Sequence, residues 1–137
     1  MKLVKHPIPS VGALIFRNGR LLVIKRGNPP YAGYWSVPGG KVNWGESLEE
    51  ALKREIREEL LVEIEVEKLA GIVESIYRED GEVKYHYIII DYFCRIVSGE
   101  PVASDDALEL RWVTMDELKE LDVTPTLLKL LKNIGMI

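Results

Sequence analysis

Three glutamates, Glu55, Glu58 and Glu59, stand at i, i+3 and i+4 in a stretch whose apolar residues recur with a helical period. On a wheel of roughly 100° per residue, Leu48, Ala51, Leu52, Ile56 and Leu60 share one apolar arc. Glu55 and Glu59 fall inside that arc and Glu58 sits at its edge. Side chains at this spacing share a face, with Cβ atoms roughly 6 Å apart. Carboxylates so crowded repel one another, and facing them inward adds a desolvation cost. A hard divalent cation, Mg²⁺ or Mn²⁺, would offset both penalties, because it prefers oxygen ligands. The competing reading is a solvated charged face on which Lys53, Arg54 and Arg57 partner the acids. Acidic surface helices are common, and here the inward position weighs against that reading.

The residues before this helix add a second constraint. Pro38-Gly39-Gly40 lets the backbone turn sharply and approach a ligand closely, since glycine has no Cβ. Gly45 and Glu46 then lead to a helix N-terminus, whose free N–H groups suit an anion. A structural turn would explain the glycines alone. Joined to the acidic face, they suggest a site for a metal-bound phosphate.

Other elements must hold these residues in place. Ser47 with Glu50 three residues on is a capping-box signature for a helix running to about Leu61. Asn18-Gly19, between the apolar runs Val11 to Arg17 and Leu21 to Lys25, predicts a hairpin with a tight I′ turn. Arg26 to Tyr34, with two prolines and two glycines, is loop, and Trp35 to Pro38 a short extended piece. Val62 to Tyr77 predicts one or two strands, Arg78 to Gly81 a turn, and Val83 to Val97 a long strand near the middle of a covered sheet. Leu110 to Val113 reads as a short strand and Met115 to Leu121 as a short helix. Thr124-Pro125 caps and starts a last helix to about Asn133. Interleaved strands and helices define an α/β or α+β class, with a mixed sheet between helices.

Composition narrows the function. The 137 residues suit one continuous domain, 1–137, and the 47% apolar fraction suits a folded protein. A net charge of −4 leaves no basic surplus for neutralising nucleic-acid phosphates. The longest apolar stretches, such as Tyr87 to Ile90, run to only 4 residues, and Met1 to His6 lacks a signal-peptide core. No membrane association is therefore expected. The single cysteine, Cys94, cannot close an internal disulfide, which favours a cytoplasmic location, and it excludes a thiolate zinc site.

Gly40, five residues, Glu46, seven residues, then Arg54-Glu55-Ile56-Arg57-Glu58-Glu59 and Val62 resembles the Nudix box, G-x5-E-x7-R-E-U-x-E-E-x-G-U with U a bulky aliphatic. The flanks are similar to that family too: Leu21 to Arg26, Trp35 to Gly40, and Arg111-Trp112-Val113. The resemblance spans roughly Gly12 to Leu118. One position departs: the family's glycine after the acidic helix is Leu61, where a positive φ would carry a cost.

The resemblance implies an α/β/α sandwich on a mixed sheet and metal-dependent hydrolysis of a nucleoside diphosphate linked to another moiety. It implies Glu58 and Glu59 as principal ligands of Mg²⁺ or Mn²⁺, Glu55 as a third ligand or the activator of water, and the Gly40 carbonyl as a further ligand. Glu46 and Arg54 would pair to hold the helix against the loop. Asp105, Asp106 and Glu109 are candidate general bases, each also readable as a solvated charge. Asn28-Pro29-Pro30 followed by Gly33-Tyr34-Trp35 resembles the ADP-ribose pyrophosphatase branch. Tyr34 or Trp35 would stack on a base and Arg26 would grip phosphate. Trp35 is read first as loop packing, and Arg26 equally as a surface ion pair.

Lys84 to Tyr87 carries polar aromatics for a pocket wall, with His86 read first as a surface or core-edge residue. Asp91 shares strand parity with Tyr87, Ile89 and Phe93, and is expected to be partly buried, hydrogen-bonded and without chemistry. Cys94 reads as core and Trp112 as packing. The leading expectation is ADP-ribose cleaved to AMP and ribose 5-phosphate. The alternatives are a (d)NTP pyrophosphohydrolase that removes oxidised nucleotides and a non-catalytic nucleotide sensor. The filled acidic positions, and an end soon after the Thr124 to Asn133 helix, tell against the sensor. Relatives with this architecture suggest a homodimer by analogy.

Overall fold

The computed structural model describes residues 5–137; Met1 to Val4, and with them part of the reading of the charged start, lie outside the described residues. Strands β1 (Ile8–Arg17) and β2 (Arg20–Arg26) form the expected hairpin, and Asn18 and Gly19 take φ of 51° and 74° as a I′ turn demands. Strands β3 (Trp35–Ser36) and β4 (Gly39–Lys41) follow, then helix α1 (Leu48–Leu60). Val62 to Tyr77 resolves into one strand, β5 (Glu63–Glu79), paired along its length with β6 (Glu82–Ser98). The turn between them is only Asp80-Gly81, shorter than the sequence suggested, because both residues adopt positive φ and extend the ladder to its tip. Strand β7 (Ala107–Val113) is longer than expected for the same kind of reason: it pairs with β2 from Leu21 back to Arg26. Helices α2 (Met115–Leu118) and α3 (Pro125–Asn133) complete the chain.

The strands make one mixed sheet of order β3-β2-β1-β6-β5, with β4 added to β1 and β7 to β2. Among the paired strands of the described residues, β1 and β6 alone run parallel, from Ile8 beside Tyr87 to Ile15 beside Cys94. Side chains alternate across it with period two. Val11, Ala13, Ile15, Leu22 and Ile24 pack under α1, together with buried Cys94. Leu14, Leu21, Val23, Val73 and Leu118 pack with α3 on the other face. Helices on both faces of a mixed sheet give the expected sandwich. Trp112 packs against the α1 cluster, with the Arg17 guanidinium 4.6 Å from its ring centre.

Helix α1 buries Ala51, Leu52, Ile56, Glu59 and Leu60, so a glutamate sits within its core-facing stripe. Ser47 Oγ accepts the Glu50 N–H at 3.1 Å, which is the forward half of the capping box. At the other end Leu61 takes φ 57° and ψ 34°, the left-handed cap that favours glycine. Thr124 precedes α3 without a side-chain cap; its N–H is instead given to the Trp35 carbonyl at 3.0 Å. Among the described residues no helix is long and apolar enough to cross a membrane.

Candidate active site

The site forms where α1 meets the β4 glycines. Gly39 lies beside Gly12, and Gly40 beside Val11. A Cβ on Gly40 would collide with the Glu55 carboxylate, and one on Gly39 with the Val11 carbonyl. Glycine is needed here for close approach to the protein's own atoms, where the sequence suggested approach to a ligand. The Gly39 N–H donates to Glu59 Oε1 at 2.8 Å. Glu59 is 6% exposed, and burial pushes its carboxyl up to about 8, against the pull of that hydrogen bond. Burial also raises Glu55, although Arg54 opposes the shift.

Arg54 organises the outer side. Its Nε and Nη2 grip both oxygens of Glu46 at 2.7 and 2.9 Å, and Nη2 also reaches the Lys41 carbonyl at 2.9 Å. Its Nη1 donates to Glu55 at 2.9 Å and to Glu58 at 3.4 Å. Hydrogen bonding to Glu46 holds the guanidinium well above its ordinary value and Glu46 below the usual carboxylate range. Glu46 in turn accepts the Asn43 N–H at 2.8 Å, so one ion pair ties loop to helix. Part of the solvated-face reading therefore holds as well. Glu58 is exposed, and Lys53 and Arg57 pair with Glu49 and Glu63.

A cavity of about 490 Å³ opens from this corner, lined there by Gly40, Glu55, Glu59, Arg26, Lys41 and Asp106. It continues along the sheet past Tyr85, Tyr87, Ile89 and Asp91 to Thr124 and Thr126 at the start of α3. Arg26 donates Nε to the Pro30 carbonyl at 2.9 Å and Nη2 to Asn28 at 3.4 Å, which leaves further N–H groups for a ligand. It is therefore held by the loop and is not a surface ion pair. The last turn of α1 positions Asp106: the Glu59 carbonyl accepts the Ser104 N–H at 2.8 Å, and the Gly27 N–H reaches the Asp106 carbonyl at 2.9 Å.

The other expected residues lie elsewhere. Glu58, Glu46 and Arg54 do not line the cavity, nor do Asp105 and Glu109. Glu109 stands within β7, 3.6 Å from Lys25 Nζ. Trp35 is 5% exposed in the α3-side core with Arg111 4.9 Å from its ring centre, so packing has already covered its faces. Tyr34 is half exposed in an adjoining hollow with Tyr31, Tyr77 and Tyr85, its ring 5.3 Å from Tyr31. Asp91 departs from expectation: it is 3% exposed, and among the described residues its Oδ1 has no hydrogen-bond partner. The only sequence signal for it was a lone acid in an apolar strand.

The donor set fits a hard dication. It is all oxygen, it surrounds a glycine notch, and it contains a buried acid whose charge is penalised until a cation arrives. Among the described residues no three His, Cys, Asp or Glu side chains form a ready-made cage, because Arg54 holds Glu55 and Glu58 aside.

A family model described as the NUDIX domain matches residues 6–134. The ADP-ribose pyrophosphatase of Methanocaldococcus jannaschii is 36% identical over 120 residues, 88% of this chain and 69% of that protein. The nucleoside triphosphatase NudI of Escherichia coli is 31% identical over 134 residues, 90% of this chain and 94% of that one. Among solved structures, the MutT NUDIX hydrolase from Burkholderia pseudomallei superposes with a TM-score of 0.85 at 36% identity, covering 95% of this chain and 99% of that one. The chain belongs to the Nudix family, among its MutT-like members, and is a pyrophosphohydrolase. Enzymes of this family act on small nucleotide substrates and generally use divalent metal ions.

Proposed function

We propose that this enzyme hydrolyses the pyrophosphate bond of a nucleoside diphosphate derivative with Mg²⁺ or Mn²⁺, and that ADP-ribose, cleaved to AMP and ribose 5-phosphate, is its substrate. One observation carries the reading: buried Glu59, Glu55 and the Gly40 notch meet Arg26 and Lys41 at one end of a cavity sized for a nucleotide. Glu58 and Glu59 would be the principal ligands, with the Gly40 carbonyl a further ligand and Glu55 a third ligand or the base. A bound dication would neutralise the diphosphate oxygens and lower the pKa of a bound water. Arg26 and Lys41 then orient the phosphates. Water attacks one phosphorus, its bond to the bridging oxygen breaks, and that oxygen leaves with the other phosphate. Of the three candidate bases outside the helix, Asp106 is the one that lines the cavity.

The test is incubation with ADP-ribose and Mg²⁺ or Mn²⁺, comparing the wild type with Glu58→Gln and Glu59→Gln. Appearance of AMP and ribose 5-phosphate supports the reading; turnover surviving both substitutions removes the metal assignment. A second reading, cleavage of nucleoside triphosphates to monophosphate and pyrophosphate, is favoured by the relative from Escherichia coli. Product analysis across both substrate sets decides between them.

A further inference from the structure

The cavity wall away from the glutamates holds a group that the hydrolytic chemistry does not use. Asp91 is 3% exposed on β6, and it lines the cavity with a buried Oδ1 that no described residue hydrogen-bonds. The fold makes room for it. Gly12 and Gly71 are its neighbours on the two adjoining strands, and a Cβ on Gly12 would fall onto Oδ1. A buried acceptor without a partner is destabilising, and native proteins seldom keep one without a use. Burial as the sole cause pushes its carboxyl up to about 7.

The surroundings indicate what would satisfy it. Tyr87 and Ile89 precede Asp91 on the same strand face, and Val37 and Leu127 also line the cavity. The Tyr87 ring and the apolar Val37, Ile89 and Leu127 side chains suit the faces of a planar heterocycle, and Asp91, among the polar residues of the lining, suits the N–H donors of its edge. The spacing agrees. Gly12 pairs with Asp91 on one side and with Gly39 on the other. Two strand spacings therefore put Asp91 about 10 Å from the glycine that binds Glu59. That is the span of one nucleoside.

We propose that Asp91 is a specificity-determining residue that reads the nucleobase, its carboxyl hydrogen-bonding the polar ring edge of a base laid along Tyr87 and Ile89. The proposal rests on the nucleotide reading of the site and adds to it the residue that selects the base. The tests are the affinities of ADP, GDP, CDP and UDP, measured by calorimetry for the wild type, Asp91→Asn and Asp91→Ala. In the wild type the four differ by about tenfold or more, the worth of one hydrogen bond to a charged or buried group. Asp91→Ala compresses that spread to about twofold by weakening the favoured base, and Asp91→Asn, which presents a different edge, reorders the bases.

Thermal melting serves as the control. Removing a buried unpartnered carboxyl leaves Asp91→Asn at least as stable as the wild type. Wild-type ratios retained in both variants overturn the proposal, as does equal binding of all four by the wild type. A lowered melting temperature in Asp91→Asn with the ratios intact makes the residue structural and likewise overturns it. Hydrolysis of ADP-ribose, assayed in parallel, separates the two claims. Base ratios that move with Asp91 while ADP-ribose is not cleaved refute only the substrate; cleavage with unmoved ratios refutes only Asp91.

Discussion

Two buried acids, Glu59 and Asp91, line the cavity, and they are kept in opposite ways. Glu59 is surrounded by charge: Arg26 lowers its proton affinity, Glu55 and Asp106 raise it, and the Gly39 N–H donates to it. Asp91 has only its desolvation. A crowded, hydrogen-bonded carboxylate awaits a cation, whereas an isolated one awaits hydrogen-bond donors. In the proposed complex the same residue class at similar burial would serve two parts of one substrate, with neighbours rather than exposure deciding the role.

The largest effect expected from breaking this comparison is on turnover. Glu59→Gln removes the buried charge that a dication needs and should lower kcat by at least about 10²-fold, the scale of losing one transition-state electrostatic contact. Glu58→Gln should act in the same direction, and Asp91→Asn should act on KM far more than on kcat. Steady-state kinetics on ADP-ribose checks all three. A kcat loss in Asp91→Asn equal to that in Glu59→Gln would erase the distinction between the two acids.

Next in size is stability against pH in metal-free protein. Glu59 binds its proton more tightly folded, at about 8, than at its ordinary 4.5, and Asp91 at about 7 rather than 3.8. The unfolded chain therefore releases these protons first, so the stability these two groups contribute is fullest below about 4 and falls as pH rises. The Asp91 share is lost by about 7 and the Glu59 share by about 8. Thermal melts with a chelator should decline by several degrees across this window. Asp91→Asn should flatten the lower part and Glu59→Gln the upper part. Added Mg²⁺ or Mn²⁺ should restore stability at pH 8 in the wild type and in Asp91→Asn but not in Glu59→Gln. Identical curves for the three proteins would mean that the two acids do not titrate as their surroundings require.

The two acids also differed in how far the sequence revealed them. Helix α1 declared itself through a 3.6-residue pattern that included Glu55 and Glu59, and through Gly39-Gly40 just upstream. Both signals are local, so spacing alone carried them. The hairpin at Asn18-Gly19 and a turn within Arg78 to Gly81 were legible for the same reason. Asp91 was not, because its role depends on Gly12 and Gly71 from other strands and on a helix that begins at Pro125. Trp35 and Tyr34 stood in sequence where a base-stacking residue would be expected. Tertiary packing buries the first under Arg111 and turns the second into a separate tyrosine cluster. The reach of Arg54 to Glu55 and Glu58 as well as Glu46 likewise needs the helix and loop folded together.

The smallest predicted effect tests whether the Glu59 end can be adjusted alone. Leu61 holds the left-handed cap of α1 at φ 57° while 58% exposed, so the conformation costs more than the side chain recovers by packing. Leu61→Gly removes that strain but raises the entropy of the unfolded chain, for a net gain of about 0.5 kcal/mol. Thermal melting should register a rise of about 2 °C. The carbonyls of Glu59 and Leu60 hold Ser104 and Val102, so the cap also anchors the segment carrying Asp106. Because Leu61 already adopts the glycine conformation, the backbone there has nothing to rearrange. The variant should keep kcat within about twofold, a change worth less than half a kcal/mol, and leave the four base affinities in their wild-type ratios. A larger fall in kcat with unchanged ratios would show that the leucine itself, and not only its backbone, helps to set the carboxylate end.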